Sequence, residues 1–293
     1  MPADRRTGLT RRSLLSAAAL TATTLATGCS GPGSSAQSDR LARLRRAGVA
    51  RLAVAGEEPF GFVDGNGDLT GAMPQIARVV LDAIGIPRVE PLVMNFDSLI
   101  DTVRSGTADI VAAGMSITAQ RCRQAAFARP DFVLRQALAV RSGNPLQLSD
   151  YRSVAARPEA RLGVLAGAVE ARYAAAAGVP AERIVAFRRA DDLTTALITG
   201  DITAFGLTSL SARRLVGTAA PGALEATPAF APVVDGEPRL ERGAMAFDPG
   251  DRSLIEAYTS AAERLRASGD VARILRAWGF QDDEIAAGTE PGC

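Results

Sequence analysis

Short apolar strands alternate with helices between residues 161 and 216, and this alternation constrains the fold more than any other feature of the chain. Each apolar run is followed by an amphipathic segment of helical length, with turn residues between them. This order is typical of an α/β unit in which helices cover both faces of a parallel sheet. The predicted strands are 161–165, 183–187 and 202–207, and the predicted helices are 169–177, 190–199 and 209–216.

The rest of the chain predicts a second α/β unit. The Pro- and Gly-rich stretch 219–237 is expected to be a loop before the chain returns to this unit. We therefore expect a first lobe over residues 41–140, a second lobe over 141–237 and a return to the first lobe over 238–293. The predicted strands of the first lobe are 49–55, 89–93, 109–113, 132–140 and 243–247, and its longer helices are 73–84, 253–267 and 271–278.

A candidate anion site follows the strand at 109–113. Ligands of open α/β sheets bind outside the carboxyl ends of the strands, where this chain has Gly114-Met-Ser-Ile-Thr-Ala-Gln-Arg121. Thr118 is the predicted N-cap of a short helix, and Arg121 lies one turn later. Since a guanidinium can grip both oxygens of a carboxylate and a helix N-terminus adds positive potential, this corner is suited to a carboxylate. The alternative is that Arg121 is a surface arginine.

The N-terminus has the pattern of an export signal over residues 1–28. A basic start containing Arg11-Arg12 and a mildly apolar run are typical of a twin-arginine signal peptide. Ala26-Thr-Gly-Cys29 resembles a lipobox, which predicts that Cys29 is lipidated, and residues 29–40 read as a flexible tether. The alternative is an ordinary signal peptide that is cleaved nearby.

Two further cysteines, Cys122 and Cys293, remain after Cys29. Outside the cytoplasm, a leftover pair is more often a disulfide than two free thiols, so we favour a bridge between them. This bridge would hold the C-terminal tail against the helix that carries Arg121. The alternative is a buried Cys122 and a loose Cys293.

The composition excludes several classes of function. The chain has 293 residues and no histidine, which removes Ser-His-Asp and Cys-His catalysis and the commonest metal ligand. HExxH, CxxC, Walker and GxGxxG motifs are absent, so we expect neither a metal nor a cofactor. The net charge is +1 and the signal peptide contributes to it, which argues against nucleic acid as a partner.

Four sequence words together resemble the bacterial extracellular solute-binding proteins of family 3, the amino-acid receptors of ABC importers. The resemblance covers the whole mature chain and implies a two-lobed α/β fold of the periplasmic-binding-protein type (type II), with a ligand cleft between lobes that are joined by two hinge strands. The words are Gly67-Asp-Leu-Thr-Gly71, Asp109-Ile-Val-Ala-Ala-Gly-Met-Ser-Ile-Thr-x-x-Arg121, Ala126-Phe-Ala-x-Pro130, and Ala267-Ser-Gly-Asp270 with Trp278-Gly-Phe280.

Within this family the chain is most similar to the ectoine and hydroxyectoine receptors. Thr208 stands where receptors for ordinary α-amino acids usually have an Asp for the ammonium, and Gly167-Ala168 stands where they have Gly-Thr. The loss of that Asp favours a ligand with a delocalised cation. The matching words are Glu57-x-Pro-Phe60, Gln136-Ala-Leu-Ala, Gly143-Asn-Pro145, Arg161-Leu-Gly-Val, Ala166-Gly-Ala-Val-Glu170, Gly178-Val-Pro180 and Leu207-Thr-x-Leu-Ser211.

The resemblance implies a set of ligand-binding residues. Phe60 and Phe96 would supply aromatic faces for the cation and Glu57 would supply a carboxylate, although the rings could also be core and Glu57 could be solvated beside Glu58. Ser116 departs from the ectoine receptors, which have a third aromatic there. The aromatic box would then be either open on one side or completed by another ring such as Phe132. The predicted ligand-binding residues are Glu57, Phe60, Phe96, Gly114, Ser116, Arg121, Gly167, Ala168 and Thr208.

The predicted function is that of an exported, lipid-anchored receptor on the outer face of the cell membrane. As a monomer, it would bind a small zwitterion of the ectoine or amino-acid class and deliver it to the membrane permease of an ABC importer. The alternative from another class is an enzyme of the cyclohexadienyl dehydratase type, in which Glu57 or Glu170 would need a raised pKa to act as an acid.

Overall fold

The computed structural model of the protein describes residues 39–286 and 292–293. The predicted signal peptide, the lipobox cysteine Cys29 and most of the predicted tether lie outside the described residues. The part of the chain before the first crossing between lobes contains α1 (Arg40–Ala47), β1 (Val49–Val54), β2 (Phe62–Val63), β3 (Leu69–Thr70), α2 (Ala72–Ala83), β4 (Arg88–Val93), α3 (Leu99–Arg104), β5 (Ile110–Ser116), α4 (Ala119–Cys122), β6 (Ala126–Phe127) and β7 (Phe132–Leu134).

The chain then builds a second lobe and returns to the first. The elements of the second lobe are β8 (Gln136–Arg141), α5 (Tyr151–Ala156), β9 (Leu162–Leu165), α6 (Glu170–Ala176), β10 (Ile184–Phe187), α7 (Ala190–Thr199), β11 (Ala204–Thr208), α8 (Ser209–Thr218), β12 (Leu224–Ala226), β13 (Val233–Val234) and β14 (Glu237–Pro238). The return consists of β15 (Glu241–Phe247), α9 (Arg252–Ala267) and α10 (Asp270–Ala277).

Each lobe has its own sheet. The strand–helix alternation predicts parallel sheets, but both sheets combine parallel and antiparallel strands. The first has the strand order β4-β1-β5-β15-β6, with β7 also paired to β15, and the second has the order β10-β9-β11-β8-β12. β1 runs parallel to β4 and β5, but β15 runs antiparallel to β5. β8 is likewise antiparallel to β11. The chain enters each sheet directly from the other lobe at these strands, without the crossover helix that a parallel neighbour requires.

The expected single strand over residues 132–140 is wrong. The structure divides it at Arg135 into β7, which pairs with β15 in the first sheet, and β8, which pairs with β11 and β12 in the second. The expected lobe boundary at residue 140 therefore falls inside a strand of the second sheet. The apolar pattern continues through the crossing because β7 and β8 are both buried, so hydropathy alone does not mark the change of sheet.

The second lobe also contains elements that the sequence did not predict. α5 begins with a capping box, in which the Asp150 carboxylate accepts from the Ser153 backbone N–H and the Ser153 hydroxyl accepts from the Asp150 backbone N–H. The stretch 219–237, expected to be a loop, contributes β12 and the first strand of the β13–β14 hairpin. Short strands of this kind carry too little periodicity to be found in a sequence.

The cores of the two lobes bury the apolar faces of their helices. In the first lobe, α2 packs Met73, Ile76 and Val80 against the sheet and the C-terminal helices. Leu210 of the second lobe's α8 is part of the same apolar cluster. The two lobes are therefore in contact. No helix among residues 39–286 has the length and apolar character needed to cross a membrane.

Candidate ligand-binding site

Arg121 lies between the lobes with its guanidinium buried. Thr118 is the N-cap of α4 as predicted, and its hydroxyl accepts from the Arg121 backbone N–H at 3.1 Å. The guanidinium donates to the carbonyl of Ser116 in the first lobe at 2.7 Å and to the carbonyl of Gly167 in the second at 2.9 Å. It also lies over the Phe96 ring, 5.3 Å from the ring centroid. Because α4 is a single turn, the positive potential here comes from the arginine itself and little from a helix end.

The charge of Arg121 has no ion-pair partner among the described residues. Burial lowers the pKa of the guanidinium, and the charges of Glu170 and Glu241 oppose that shift. A cavity of about 240 Å³ adjoins it and is lined partly by Phe96, Gly167 and Ala168. A buried guanidinium beside a cavity is suited to an incoming carboxylate, which would supply the missing negative charge.

Glu57 connects the lobes on another side of the cleft. It follows β1 in the first lobe and accepts a hydrogen bond of 2.6 Å from the hydroxyl of Ser211 in α8 of the second lobe. Thr208 is the N-cap of α8, and its hydroxyl oxygen accepts from the backbone N–H of Ser211. Burial raises the pKa of Glu57 to about 7, although the Ser211 hydroxyl acts in the opposite direction. A cation that binds close to this carboxyl would lower its pKa and favour loss of the proton.

Phe60 belongs to the aromatic core of the first lobe. Its ring centroid lies 5.2 Å from that of Phe132 and 6.1 Å from that of Phe280, and the residue is 1% exposed. Phe132, the other ring that the sequence offers in place of the third aromatic, packs in this same cluster and is itself 0% exposed. Gly114 has a φ of +64°, and a Cβ there would lie 2.3 Å from Phe60 Cδ1. Gly114 therefore lets the ring pack directly against β5.

Gly167 of the second lobe packs closely against Asp97 of the first lobe. Its φ is +76°, and a Cβ at this position would lie 2.7 Å from the Cβ of Asp97. Ser116 is buried at the end of β5 and contacts Arg121 through its backbone carbonyl. Close approach of this kind requires glycine at position 167, and it brings the Gly167 carbonyl within reach of the arginine.

The structure therefore brings most of the predicted residues together in two groups rather than in one. Arg121, Phe96, Gly167 and Ala168 surround one cavity, whereas Glu57 and Thr208 are joined through Ser211. The sequence-based set omits several buried polar residues of the cleft. Ser211, Gln136 and Glu170 stand in motifs quoted for the family resemblance, but no local pattern points to the others. The omitted residues are Gln136, Glu170, Tyr173, Ser211 and Glu241.

The disulfide between Cys122 and Cys293 is present, with the two Cα atoms 5.7 Å apart. It holds the C-terminal end against α4, directly after Arg121. Gly292 packs so closely that a Cβ there would lie 2.2 Å from the carbonyl oxygen of Phe127. Among residues 39–286 and 292–293, no group of His, Cys, Asp and Glu has the arrangement of a metal site.

Two mixed α/β lobes, two crossing segments and a polar cleft between them define the two-lobed periplasmic-binding-protein fold. Residues 51–282 match the family of bacterial extracellular solute-binding proteins, family 3. The chain belongs to this family.

Individual relatives agree with this assignment. The chain is 29% identical over 249 residues to the "Probable amino-acid ABC transporter periplasmic-binding protein y4tE" of Sinorhizobium fredii, covering 84% of this chain and 82% of that one. It is similar to the crystal structure of EhuB in complex with hydroxyectoine, with 30% identity, a TM-score of 0.77, and coverage of 83% of this chain and 93% of that one. An ancestral arginine-binding protein bound to arginine matches with 26% identity, a TM-score of 0.69, and coverage of 80% and 99%.

Proposed function

We propose that this protein is the extracytoplasmic solute-binding lipoprotein of an ABC importer, and that it binds a small zwitterion of the ectoine, hydroxyectoine or amino-acid class. The observation that carries the proposal is the buried guanidinium of Arg121, which bonds to a carbonyl of each lobe and has no ion-pair partner among the described residues. The relatives named for hydroxyectoine and amino-acid transport support the same class of ligand.

In this proposal the two charges of the zwitterion contact opposite parts of the cleft. The ligand carboxylate binds Arg121 in the adjoining cavity, where Phe96 and Ala168 form part of the wall. The cationic group binds Glu57, whose carboxyl is buried and bonded to Ser211.

The permease would recognise the ligand-bound receptor by the closed arrangement of its lobes. Contacts between the lobes already include the Arg121–Gly167 and Ser211–Glu57 hydrogen bonds and an ion pair between Arg214 and Glu58. A ligand that touches both lobes favours the closed form over the open one, because it has its full set of contacts only there. The closed form would dock on the permease, and the lipid on Cys29 would keep the receptor, as a monomer, at the outer face of the cell membrane.

The decisive experiment is calorimetric titration of the purified mature protein with ectoine, hydroxyectoine, arginine and glycine betaine. We expect binding of at least one of these zwitterions, and we expect Arg121→Ala to weaken it by more than about 100-fold, since a buried charge pair loses one partner. Arg123→Ala is the matched control because Arg123 is the exposed C-cap residue of the same short helix, and among the described residues its guanidinium donates to the Ala119 carbonyl and not to the other lobe. Unchanged binding in Arg121→Ala would refute the proposal.

A dehydratase of the cyclohexadienyl type is the second candidate, since burial raises the pKa of Glu57 to about 7 and of Glu170 to about 8, the range of a general acid. Incubation with prephenate or arogenate and detection of the aromatic product separates the two functions. We expect no turnover, because the family and the named relatives are transport proteins.

A further inference from the structure

Two consecutive acidic residues of the first lobe contact the same helix of the second lobe. Glu57 and Glu58 stand in the loop between β1 and β2. Glu57 accepts a hydrogen bond of 2.6 Å from the Ser211 hydroxyl, and Glu58 forms an ion pair with Arg214. Ser211 and Arg214 are three residues apart on α8, so they lie on one face of that helix. One loop of the first lobe is therefore joined twice to one face of α8.

The loop that carries the two acids is fixed to the first lobe. The backbone N–H of Phe60 donates to the Glu57 carbonyl at 2.9 Å, and the Pro59 carbonyl accepts from the backbone N–H of Ala72, at the start of α2, at 2.9 Å. The Phe60 ring is buried in the aromatic core. Because the backbone is held on both sides of Glu58, the loop cannot follow α8 when the lobes separate. Opening of the cleft must therefore break the contacts between this loop and α8.

The two contacts differ in burial and in their relation to the ligand. Glu57 is 6% exposed and Ser211 is 0% exposed. The side chains of Glu58 and Arg214, in contrast, are 26% and 53% exposed, so dissolved salt screens their attraction. Glu58 lines a cavity of about 670 Å³ that shares no described lining residue with the cavity beside Arg121. The ion pair thus joins the lobes away from the position of the ligand carboxylate.

The neighbouring arginine on α8 provides an internal comparison. Arg213 lies 3.8 Å from the carboxylate of Glu284, in the segment that follows α10. This segment lies at the crossing between the lobes, because Asp283 pairs with Arg135, where the chain passes from β7 to β8. A rotation of the lobes about the crossing moves distant atoms more than near ones. Opening should therefore disturb the pair of Arg214 more than the pair of Arg213.

We propose that Glu58 and Arg214 are positioning residues for ligand binding, whose ion pair raises ligand affinity by stabilising the contact between the lobes and is weakened by salt. This inference rests on the proposed function and adds a regulation of the same cleft by ionic strength. A ligand that touches both lobes binds most tightly while they are in contact, so an interaction formed only in that arrangement adds to its affinity. Since an exposed ion pair contributes little, the expected change in affinity is a few-fold.

The test is an exchange of charges between the lobes, measured by calorimetry in about 20 mM salt, where screening is weak. The ligand is whichever of ectoine, hydroxyectoine, arginine and glycine betaine the wild type binds most tightly. We expect Arg214→Gln to weaken binding by about three- to fivefold, and Glu58→Arg to weaken it further because two cations then face each other. Combining Glu58→Arg with Arg214→Glu should return the affinity to within about twofold of the wild type. Arg213→Gln is the matched control and should change the affinity by less than about twofold.

Ionic strength provides a second readout on the same proteins. The difference in affinity between the wild type and Arg214→Gln should nearly vanish in about 0.5 M sodium chloride, where the Debye length is only about 4 Å. A structural defect caused by the substitution would persist in salt. Equal affinities of the wild type and Arg214→Gln, a charge exchange that restores nothing, or a difference that salt leaves unchanged would each overturn the inference alone. No binding of any of the four zwitterions by the wild type would overturn the proposed function, and the inference with it.

Discussion

The cleft has a cationic region, formed by Arg121, and an acidic region, formed by Glu57 and Glu170. The two regions compensate the cost of burying a charge in different ways. Arg121 donates to two backbone carbonyls, from Ser116 and Gly167, which keep their positions as long as the backbone does. The carboxyl groups of Glu57 and Glu170 instead respond to burial by taking a higher pKa. A guanidinium cannot lose its proton in this way, so it must have a polar cradle, whereas a carboxyl can remain neutral until a ligand arrives. The cationic region is therefore permanently charged, whereas the charge of the acidic region is conditional on the pH and on the arrival of a ligand.

Closure should matter to both regions, and blocking it should have the largest effect. Gly167→Ala would place a Cβ 2.7 Å from that of Asp97 and would strain a backbone with φ of +76°. We expect ligand affinity to fall by more than about 100-fold, because the open form lacks the contacts from one lobe. Calorimetry with the preferred ligand measures the loss. Gly217→Ala, on the exposed face of α8 with open space around it, is the control and should bind normally.

The acidic region should tolerate neutralisation better than the cationic one. Glu57→Gln keeps the size of the side chain and a partner for Ser211 but removes the charge that attracts the ligand cation. We expect affinity to fall by about 10- to 50-fold, less than for Arg121→Ala, since solvation and Glu170 compensate in part. Calorimetry at pH 8, where the wild-type carboxyl is charged, gives the sharpest comparison. An equal or greater loss than in Arg121→Ala would reverse the order that we assign to the two regions.

The conditional charge of the acidic region should also affect stability without ligand. The folded pKa values of Glu57 and Glu170, about 7 and about 8, lie above the usual 4.5, so between these values the folded protein holds protons that the unfolded chain has lost. The free energy of unfolding should therefore decrease as pH rises from 4.5 towards 8, by up to about 1.4 kcal/mol per pH unit for each such group. Urea titrations at several pH values measure this slope. Glu57→Gln should reduce it between pH 4.5 and 7, and an unchanged slope would show that Glu57 does not contribute.

The disulfide should have the smallest effect on binding. Cys293→Ser frees the tail from α4, but among the described residues the guanidinium of Arg121 bonds to Ser116 and Gly167 and not to Gly292 or Cys293. We expect affinity to change less than about threefold and the free energy of unfolding to fall by about 3 kcal/mol, a typical value for a cross-link that closes a long loop. A large loss of affinity would mean that the tail positions the cationic region.

The sequence by itself determined the parts of this protein that depend on local pattern. Periodicity predicted α2, α7, β1 and β10 to within a few residues, and the pattern around Thr118 predicted the N-cap of α4. These features come from neighbours in the chain, where side-chain spacing and capping chemistry act directly.

Only the tertiary structure decided how segments that are distant in the sequence pair, pack and affect one another's pKa values. It divided the predicted strand at Arg135 between two sheets, placed Phe60 and Phe132 in the core, and brought Glu57, Glu170 and Glu241 into one region. Hydropathy does not distinguish a strand that changes sheets from one that continues, and the pKa of a carboxyl depends on burial and on charges far away in the sequence. The physical reason is that packing and desolvation arise between elements, whereas periodicity and capping arise within them.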